Sequence, residues 1–130
     1  MAIFKKLRAV RGAVCCENTA ESIEREVCFL VSAILKANKN IETDIVSIQF
    51  SITEDLTALN PAAALRKGGA ECKTDFINIV RNIPLFCSAE PKVENSLPKT
   101  IRILIHYYSR RKPKPVYIHG AEVLRQDIMS

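Results

Sequence analysis

The stretch Thr100–Ser109, TIRILIHYYS, decides the fold that we predict for this chain. Apolar residues recur at every second position, the pattern of a strand with one buried face, at Ile101, Ile103, Ile105 and Tyr107. The other face is mixed and carries one guanidinium, that of Arg102. Because an unpaired buried charge is costly, this arginine either reaches solvent or an internal carboxylate, or points into a pocket that receives negative charge. The strand alone leaves both alternatives open.

Composition bounds the class of protein. The chain has 130 residues, 48% hydrophobic and 25% charged, which is typical of one folded domain spanning residues 1–130. The net charge of +5 suits anionic ligands of any kind and does not choose among them. The chain start is basic without a following apolar region, and no apolar run approaches the roughly 18 residues of a membrane span. We therefore expect a cytoplasmic protein that has no membrane partner.

Cysteine and histidine usage gives no sign of a metal site. The five cysteines are an odd number without CxxC spacing, which indicates free thiols in a reducing compartment rather than disulfides or structural zinc. His106 and His119 lie outside any catalytic motif. Gly68-Gly69 is typical of a helix end and lacks the spacing of a phosphate loop. We therefore expect no metal and no cofactor.

The rest of the chain predicts an α+β fold, a mixed β-sheet with helices packed on one face. Residues 70–82 show no clear period. A capping-box pattern at Asn18 and Glu21 predicts the start of a helix that ends near Ala37. Asn60-Pro61 predicts the start of a second, short helix, Ala62–Lys67. Around Thr100–Ser109, the remaining predicted strands are residues 3–15, Ile45–Thr53, Ile83–Ser88 and Val116–Ile118, and Ala121–Arg125 forms a final turn or helix.

Four arginines lie near the ends of apolar elements, and one carboxylate, Glu90, directly follows a strand. Guanidinium groups bind carboxylates through paired hydrogen bonds, so this set favours an anion that has more than one carboxylate. The arginines are Arg11, Arg66, Arg102 and Arg125. A rival interpretation is nucleic-acid binding through the basic run 110–114. Such runs are usually solvated loops, and few stacking aromatics accompany this one. We expect no nucleic-acid partner.

Five segments resemble one known family. They are RAVRGAV at 8–14, TEDLTALNPAAALR at 53–66, CSAE at 87–90, IRIL at 101–104 and VYIHGAEVLRQDI at 116–128. In this order, along nearly the whole chain, they resemble the monofunctional, trimeric AroH-type chorismate mutases. The resemblance implies a trimeric pseudo-α/β-barrel with active sites between subunits. It also implies the rearrangement of chorismate to prephenate, the branch step toward phenylalanine and tyrosine.

The resemblance also implies which residues form the site. Arg102, Glu90 and Arg11 are the expected catalytic residues, and Arg102 would meet the negative charge that grows on the ether oxygen. The expected wall from one subunit is Arg11, Cys87, Glu90, Arg102, Tyr117, Leu124 and Arg125. The neighbouring subunit would contribute Asn60, Ala62 and Arg66. No covalent intermediate is expected.

Two further points accompany the resemblance. The interval between Arg66 and Cys87 is longer than the family pattern, and the extra residues, around Glu71–Asn82, are expected to form a surface excursion. The alternative function is a non-catalytic trimeric binder of small carboxylic acids with the same fold.

Overall fold

The computed structural model describes residues 4–68 and 74–125 of the chain. These residues form five strands and three helices. The strands are β1 (Lys6–Cys15), β2 (Ile45–Ile52), β3 (Leu85–Ala89), β4 (Thr100–Ser109) and β5 (Val116–Ile118). The helices are α1 (Ala20–Ala37), α2 (Pro61–Lys67) and α3 (Thr74–Val80), and short 3₁₀ turns cover Glu42–Asp44 and Ala121–Arg125.

The strands form one mixed sheet in the order β3-β2-β4-β1-β5. Strand β4, quoted above, is central and runs antiparallel to both neighbours, β2 and β1. The two edge strands are parallel to their partners, β3 to β2 and β5 to β1. The predicted mixed sheet is therefore confirmed.

The apolar face of β4 forms the centre of the core. Its four predicted core residues, Ile101, Ile103, Ile105 and Tyr107, are at most 3% exposed. They share one hydrophobic cluster with residues from α1, α2 and α3, which places all three helices on this face of the sheet. Full burial of such a side chain contributes roughly 1.5–3 kcal/mol. The predicted α+β arrangement with helices on one face is confirmed.

The start of α1 differs from the prediction. Thr19, not Asn18, caps the helix, and its Oγ1 accepts a hydrogen bond of 3.1 Å from the Ser22 amide. The Asn18 Oδ1 instead accepts hydrogen bonds from the amides of Thr57 and Ala58, at 2.8 and 2.9 Å. Local sequence could not reveal this contact because its partners lie about forty residues away in the loop before α2.

The expectation of a surface excursion after α2 was wrong for α3. Phe76 and Val80, at 4% and 1% exposure, belong to the main core cluster. Residues 69–73 lie outside the described part of the chain. The segment that showed no period therefore adds a helix to the layer that covers the sheet.

The expectation that all cysteines are free thiols was wrong at Cys28. This residue of α1 is disulfide-bonded, whereas Cys15, Cys16 and Cys87 are free. Cys72 lies outside the described residues. Among the described residues, no helix combines the length and the apolar character needed to cross a bilayer.

Candidate active site

A cleft of about 460 Å³ opens on the face of the sheet opposite the helices, above the centre of β4. Cross-strand pairing explains how residues distant in sequence meet there, because directly paired residues point to the same face. Ser51 pairs with Arg102, and Ser88 pairs with Ser51. The side chains considered below come from all five strands and the last turn; the cleft residues among them are Arg11, Gln49, Ser51, Phe86, Ser88, Arg102, Leu104, Tyr117 and Arg125.

An ion pair between Arg102 and Glu90 lies at this cleft. The Nε of Arg102 is 2.6 Å from the Oε1 of Glu90, and the hydroxyl of Ser51 donates a 2.9 Å hydrogen bond to the same oxygen. The Glu90 side chain is 13% exposed and that of Arg102 is 41% exposed. Arg102 therefore combines the two alternatives that the sequence left open, because it pairs with an internal carboxylate and also lines a pocket. Glu90 fixes one edge of the guanidinium while part of that group faces the cleft.

Arg11 and Tyr117 extend the cleft toward the other edge of the sheet. Arg11 pairs with Leu104 on β4, so by strand geometry it is a diagonal neighbour of Arg102, about 7–8 Å away. Gly12 lets β5 approach β1 closely, because a Cβ there would lie 2.9 Å from the Val116 carbonyl oxygen and 2.9 Å from the Ile34 side chain. Tyr117 is thereby held beside β1, where it is 3% exposed and still lines the cleft.

A tight turn after β5 directs the chain back over the cleft. His119 and Gly120 both have positive φ, 50° and 103°, a conformation that reverses the chain sharply. The Nδ1 of His119 contacts the Glu26 carboxylate of α1, and its ring stacks edge-on against Phe29 at 5.6 Å between centroids. The following 3₁₀ turn ends at Arg125, which lines the cleft.

Leu124 belongs to this turn and packs it against the sheet. It is half-buried and packs against a small cluster formed by Ala13, Tyr117 and Ala121. It therefore lies next to the cleft residues without being among those that line the cavity.

Besides Leu124, four further predicted site residues do not line the cleft within one chain. Cys87 pairs with Phe50 and packs on the main core, so it points to the helix side of β3, and burial raises the pKa of its thiol. Asn60 caps α2 by accepting a 2.8 Å hydrogen bond from the Ala62 amide, and Ala62 is buried in the core. Arg66 is exposed in the last turn of α2.

The cleft also contains residues that the sequence analysis did not single out. Ser51 holds the Glu90 carboxylate, while Gln49, Phe86 and Ser88 form the wall on the β3 side. The alternation of β2 already showed a polar face containing Gln49 and Ser51. Their position beside Arg102 depends on strand order and register, which that alternation does not encode.

The cleft concentrates cations on a face that no helix of the described residues covers. Three arginines and Tyr117 line it, and the Glu90 carboxylate at its edge is already ion-paired with Arg102. Such a set can bind carboxylates in pairs and leave a fixed positive charge facing a reacting atom. The described residues contain no group of three or more histidine, cysteine or acidic side chains placed to hold a metal ion.

The fold and the arginine-lined cleft together suit a small molecule that carries several negative charges. Residues 7–128 match the family model described as chorismate mutase type I. The chain therefore belongs to the type I chorismate mutase family, whose members are isomerases that act in aromatic amino acid biosynthesis. The family resemblance inferred from the five sequence segments is confirmed.

Relatives with known names agree with this assignment. The chain is 32% identical to "Chorismate mutase AroH" of Thermus thermophilus, over 95% of this chain and 98% of that protein. It is 29% identical to the protein of the same name from Bacillus subtilis, over 94% and 92% of the two chains. Among solved structures, it is similar to a chorismate mutase from Clostridium thermocellum, with a TM-score of 0.76 and 34% identity over 88% of this chain and 97% of that one.

Proposed function

We propose that this chain, as a single domain, converts chorismate to prephenate in the cleft over β4, without a cofactor or a covalent intermediate. The observation that carries the proposal is the Arg102–Glu90 ion pair at 2.6 Å, at the edge of a cleft that Arg11 and Arg125 also line. The reaction is unimolecular: an ether C–O bond breaks while a C–C bond forms, and no proton moves. A site built from fixed cations suits such a reaction better than a site built from acid–base pairs.

The first task of the site is to hold the substrate in its compact conformer. Chorismate has two carboxylates, and fixing both restricts the molecule to a geometry close to the transition state. Arg11 and Tyr117, adjacent through the β1–β5 pairing, would hold one carboxylate. Arg125, carried by the turn after β5, would close over the site. Leu124 would keep that turn packed against the sheet.

The second task is to stabilise charge that exists only during the reaction. As the ether bond lengthens, negative charge grows on its oxygen, and a fixed cation there stabilises the transition state more than the ground state. Arg102 is our choice for this cation, because Glu90 orients its guanidinium from one side. Glu90 would also accept a hydrogen bond from the ring hydroxyl of the substrate, and the Ser51 hydroxyl would hold that carboxylate in place.

We further propose a homotrimer in which each active site is completed by a neighbouring subunit. Arg66 and the start of α2 lie on the helix side of the sheet, opposite Arg102, so one chain cannot supply both sides of the pocket. The helix-free face also exposes apolar side chains that an interface would bury, Leu7, Phe86 and Tyr108, at 45–65% exposure. A neighbour could then present Asn60, Ala62 and Arg66 to the cleft.

A cytoplasmic location and a role for Cys87 stay predictions from the sequence and the family resemblance.

Subunit complementation tests this shared site. Arg102→Ala and Arg66→Ala should each inactivate the trimer. Arg102→Ala removes a residue from the wall over β4, and Arg66→Ala removes a residue that the neighbouring subunit contributes. Co-expressed at equal levels, the two variants should recover about one quarter of the wild-type sites, because random mixing pairs an intact wall with an intact neighbour at that frequency. Mixing Arg102→Ala with Arg11→Ala is the matched control. Both changes affect the same wall, so no activity should return.

Three outcomes would contradict the proposal. Recovery in the control mixture would mean that Arg11 and Arg102 belong to different sites. Absence of recovery in the test mixture, with mixed trimers demonstrated by mass, would place Arg66 outside the shared site. If no variant, including wild type, converts chorismate while the protein still binds small dicarboxylates, the alternative of a non-catalytic binder holds.

A further inference from the structure

A second cleft, of about 410 Å³, lies on the helix side of the sheet between the end of α1 and the β4–β5 loop. Cationic side chains dominate its lining, and no carboxylate side chain contributes to it. The cations are Lys36, Lys39, Arg111, Lys112 and Lys114. We name this site the basic cleft. It is separate from the proposed active site, because the sheet lies between the two.

The cations of the basic cleft have no anionic partner in the described part of the chain. None of the five forms an ion pair with any residue in 4–68 or 74–125. Elsewhere, exposed lysines such as Lys67 and Lys99 do pair with glutamates, at 3.5 and 2.9 Å. Five like charges around one concavity repel one another, and a bound anion would relieve that repulsion.

The backbone that carries these cations is held in place by a buried side chain. Asn38, 7% exposed, donates a 3.0 Å hydrogen bond to the Lys114 carbonyl and accepts a 2.8 Å hydrogen bond from the Lys114 amide. It also donates to the Ile34 carbonyl at 2.9 Å, which joins the loop to the last turn of α1. The basic cleft is therefore a built concavity, unlike a freely solvated basic loop.

The hydroxyl of Tyr107 can donate a hydrogen bond into the basic cleft. Tyr107 is 1% exposed yet lines the basic cleft, and its hydroxyl makes no hydrogen bond with the described residues. Burial raises the pKa of this phenol, while the nearby Arg8 lowers it, so the hydroxyl keeps its proton near neutrality and can donate. Among the described residues no side-chain polar atom is both buried and without a partner, so this hydroxyl is accessible, and an acceptor in the cleft can take its hydrogen bond.

We propose that the basic cleft binds a small oxyanion with at least two negative charges, of the phosphate class. The cations would neutralise its charge and the Tyr107 hydroxyl would donate to one of its oxygens. Cavities of this size accommodate small metabolites, and Ala37 and Ile41 add apolar wall beside the cations. Inorganic pyrophosphate and a phosphorylated sugar share the required chemistry, and the experiment separates them.

Calorimetric titration of the intact protein with inorganic pyrophosphate at low ionic strength tests this site. One pyrophosphate should bind per chain, and the affinity should weaken as salt is added. The double variant Lys39→Ser/Lys112→Ser should bind about thirtyfold more weakly, because each of the two lost cations contributes about 1 kcal/mol where water screens the charge. Tyr107→Phe keeps the ring and should also lose about tenfold, since a hydrogen bond to a charged group is worth about 1.5 kcal/mol or more.

Matched controls keep the result specific. Lys67→Ser/Lys92→Ser lowers the net charge by the same amount away from the cleft and should bind like wild type. Arg102→Ala should also keep the site, which distinguishes it from the proposed active site. Parallel titration with glucose 6-phosphate shows whether the cleft prefers a phosphorylated metabolite or the inorganic ion. Thermal melts of each variant confirm that the fold is retained.

Several results would overturn the proposal. Undetectable pyrophosphate and sugar phosphate binding to wild type would remove the site. Equal affinity in wild type, Tyr107→Phe and Lys39→Ser/Lys112→Ser would place the anion elsewhere. Loss of binding in Arg102→Ala alone would assign it to the active-site cleft. Binding of a single-stranded oligonucleotide without binding of either small anion would make the basic cleft a nucleic-acid surface instead.

Discussion

Arg102→Ala is the substitution that most sharply separates transition-state stabilisation from substrate binding. Glu90 and the sheet hold Arg102 before substrate arrives, so its charge is already oriented when the ether bond begins to break. Removing an interaction that strengthens only in the transition state lowers kcat and leaves KM comparatively unchanged. We therefore expect the loss to appear mainly in kcat.

The expected loss in kcat for Arg102→Ala can be sized in two ways. Loss of one oriented donor to a developing oxyanion typically costs about 10²–10³ in kcat, or roughly 2.7–4 kcal/mol. A unit charge acting at about 4 Å in a site of effective dielectric constant about 20 gives a similar value, roughly 4 kcal/mol. Arg102→Lys keeps the charge but loses the planar fork that Glu90 orients, so it should recover only part of the loss.

The assay is steady-state chorismate consumption, with stability checked in parallel. Arg102→Ala leaves the Glu90 carboxylate with the Ser51 hydroxyl as its remaining partner, which lowers stability as well as activity. Thermal melts and light scattering must therefore show an intact assembly. Arg81→Ala, at an exposed position after α3, is the matched arginine control and should leave kcat unchanged. An Arg102→Ala protein with wild-type kcat would refute the assigned role.

Four further outcomes are expected. Arg125→Ala should raise KM while kcat changes little, because this residue would hold a ground-state carboxylate; steady-state kinetics measures both. The kcat should vary little between about pH 6 and 9, since no proton is transferred and burial keeps the pKa of Cys87 above its ordinary value; a bell centred near neutrality would reveal a missed acid or base. His119→Ala removes the contact between the turn that carries Arg125 and the Glu26 carboxylate of α1, so it should raise KM more than His119→Gln does. Equal kinetics for the two variants would show that the turn does not depend on this contact. Burial raises the pKa of Cys16 from 9.0 to about 12, so its stabilising contribution is present below about pH 9 and is lost as pH rises toward 12. In denaturant titrations, the free energy of unfolding of wild type should fall by about 1 kcal/mol more than that of Cys16→Ala between about pH 9 and 10. Equal losses in the two proteins would contradict the assignment of this pH dependence to Cys16.

Elements with a strong period were predictable from the sequence. The two-residue alternation of Thr100–Ser109 and of β2 depends on one face being buried, and both strands form where expected. The helix α3 was not predicted, because residues 70–82 offer too few apolar side chains to define a helical face. Its burial depends on tertiary contacts of Phe76 and Val80 with a core assembled from distant segments.

The site was predictable in residue type and less so in arrangement. The arginines and Glu90 stood out because charged side chains near apolar elements need a reason to be there. The ion pair between Arg102 and Glu90 depends on β4 and β3 both flanking β2, an order that short-range patterns do not encode. The same register places Cys87 on the opposite side of β3 from Ser88, which the sequence segment CSAE by itself does not indicate.

The central claim is that this cleft accelerates the rearrangement of chorismate, and the ultraviolet absorbance of chorismate tests it directly. Purified wild-type protein should convert chorismate to prephenate in a saturable reaction, without added metal or cofactor, and Arg102→Ala should reduce kcat by about 10²–10³. Chorismate that disappeared no faster with folded, assembled wild-type protein than in buffer alone would contradict the proposed mutase activity.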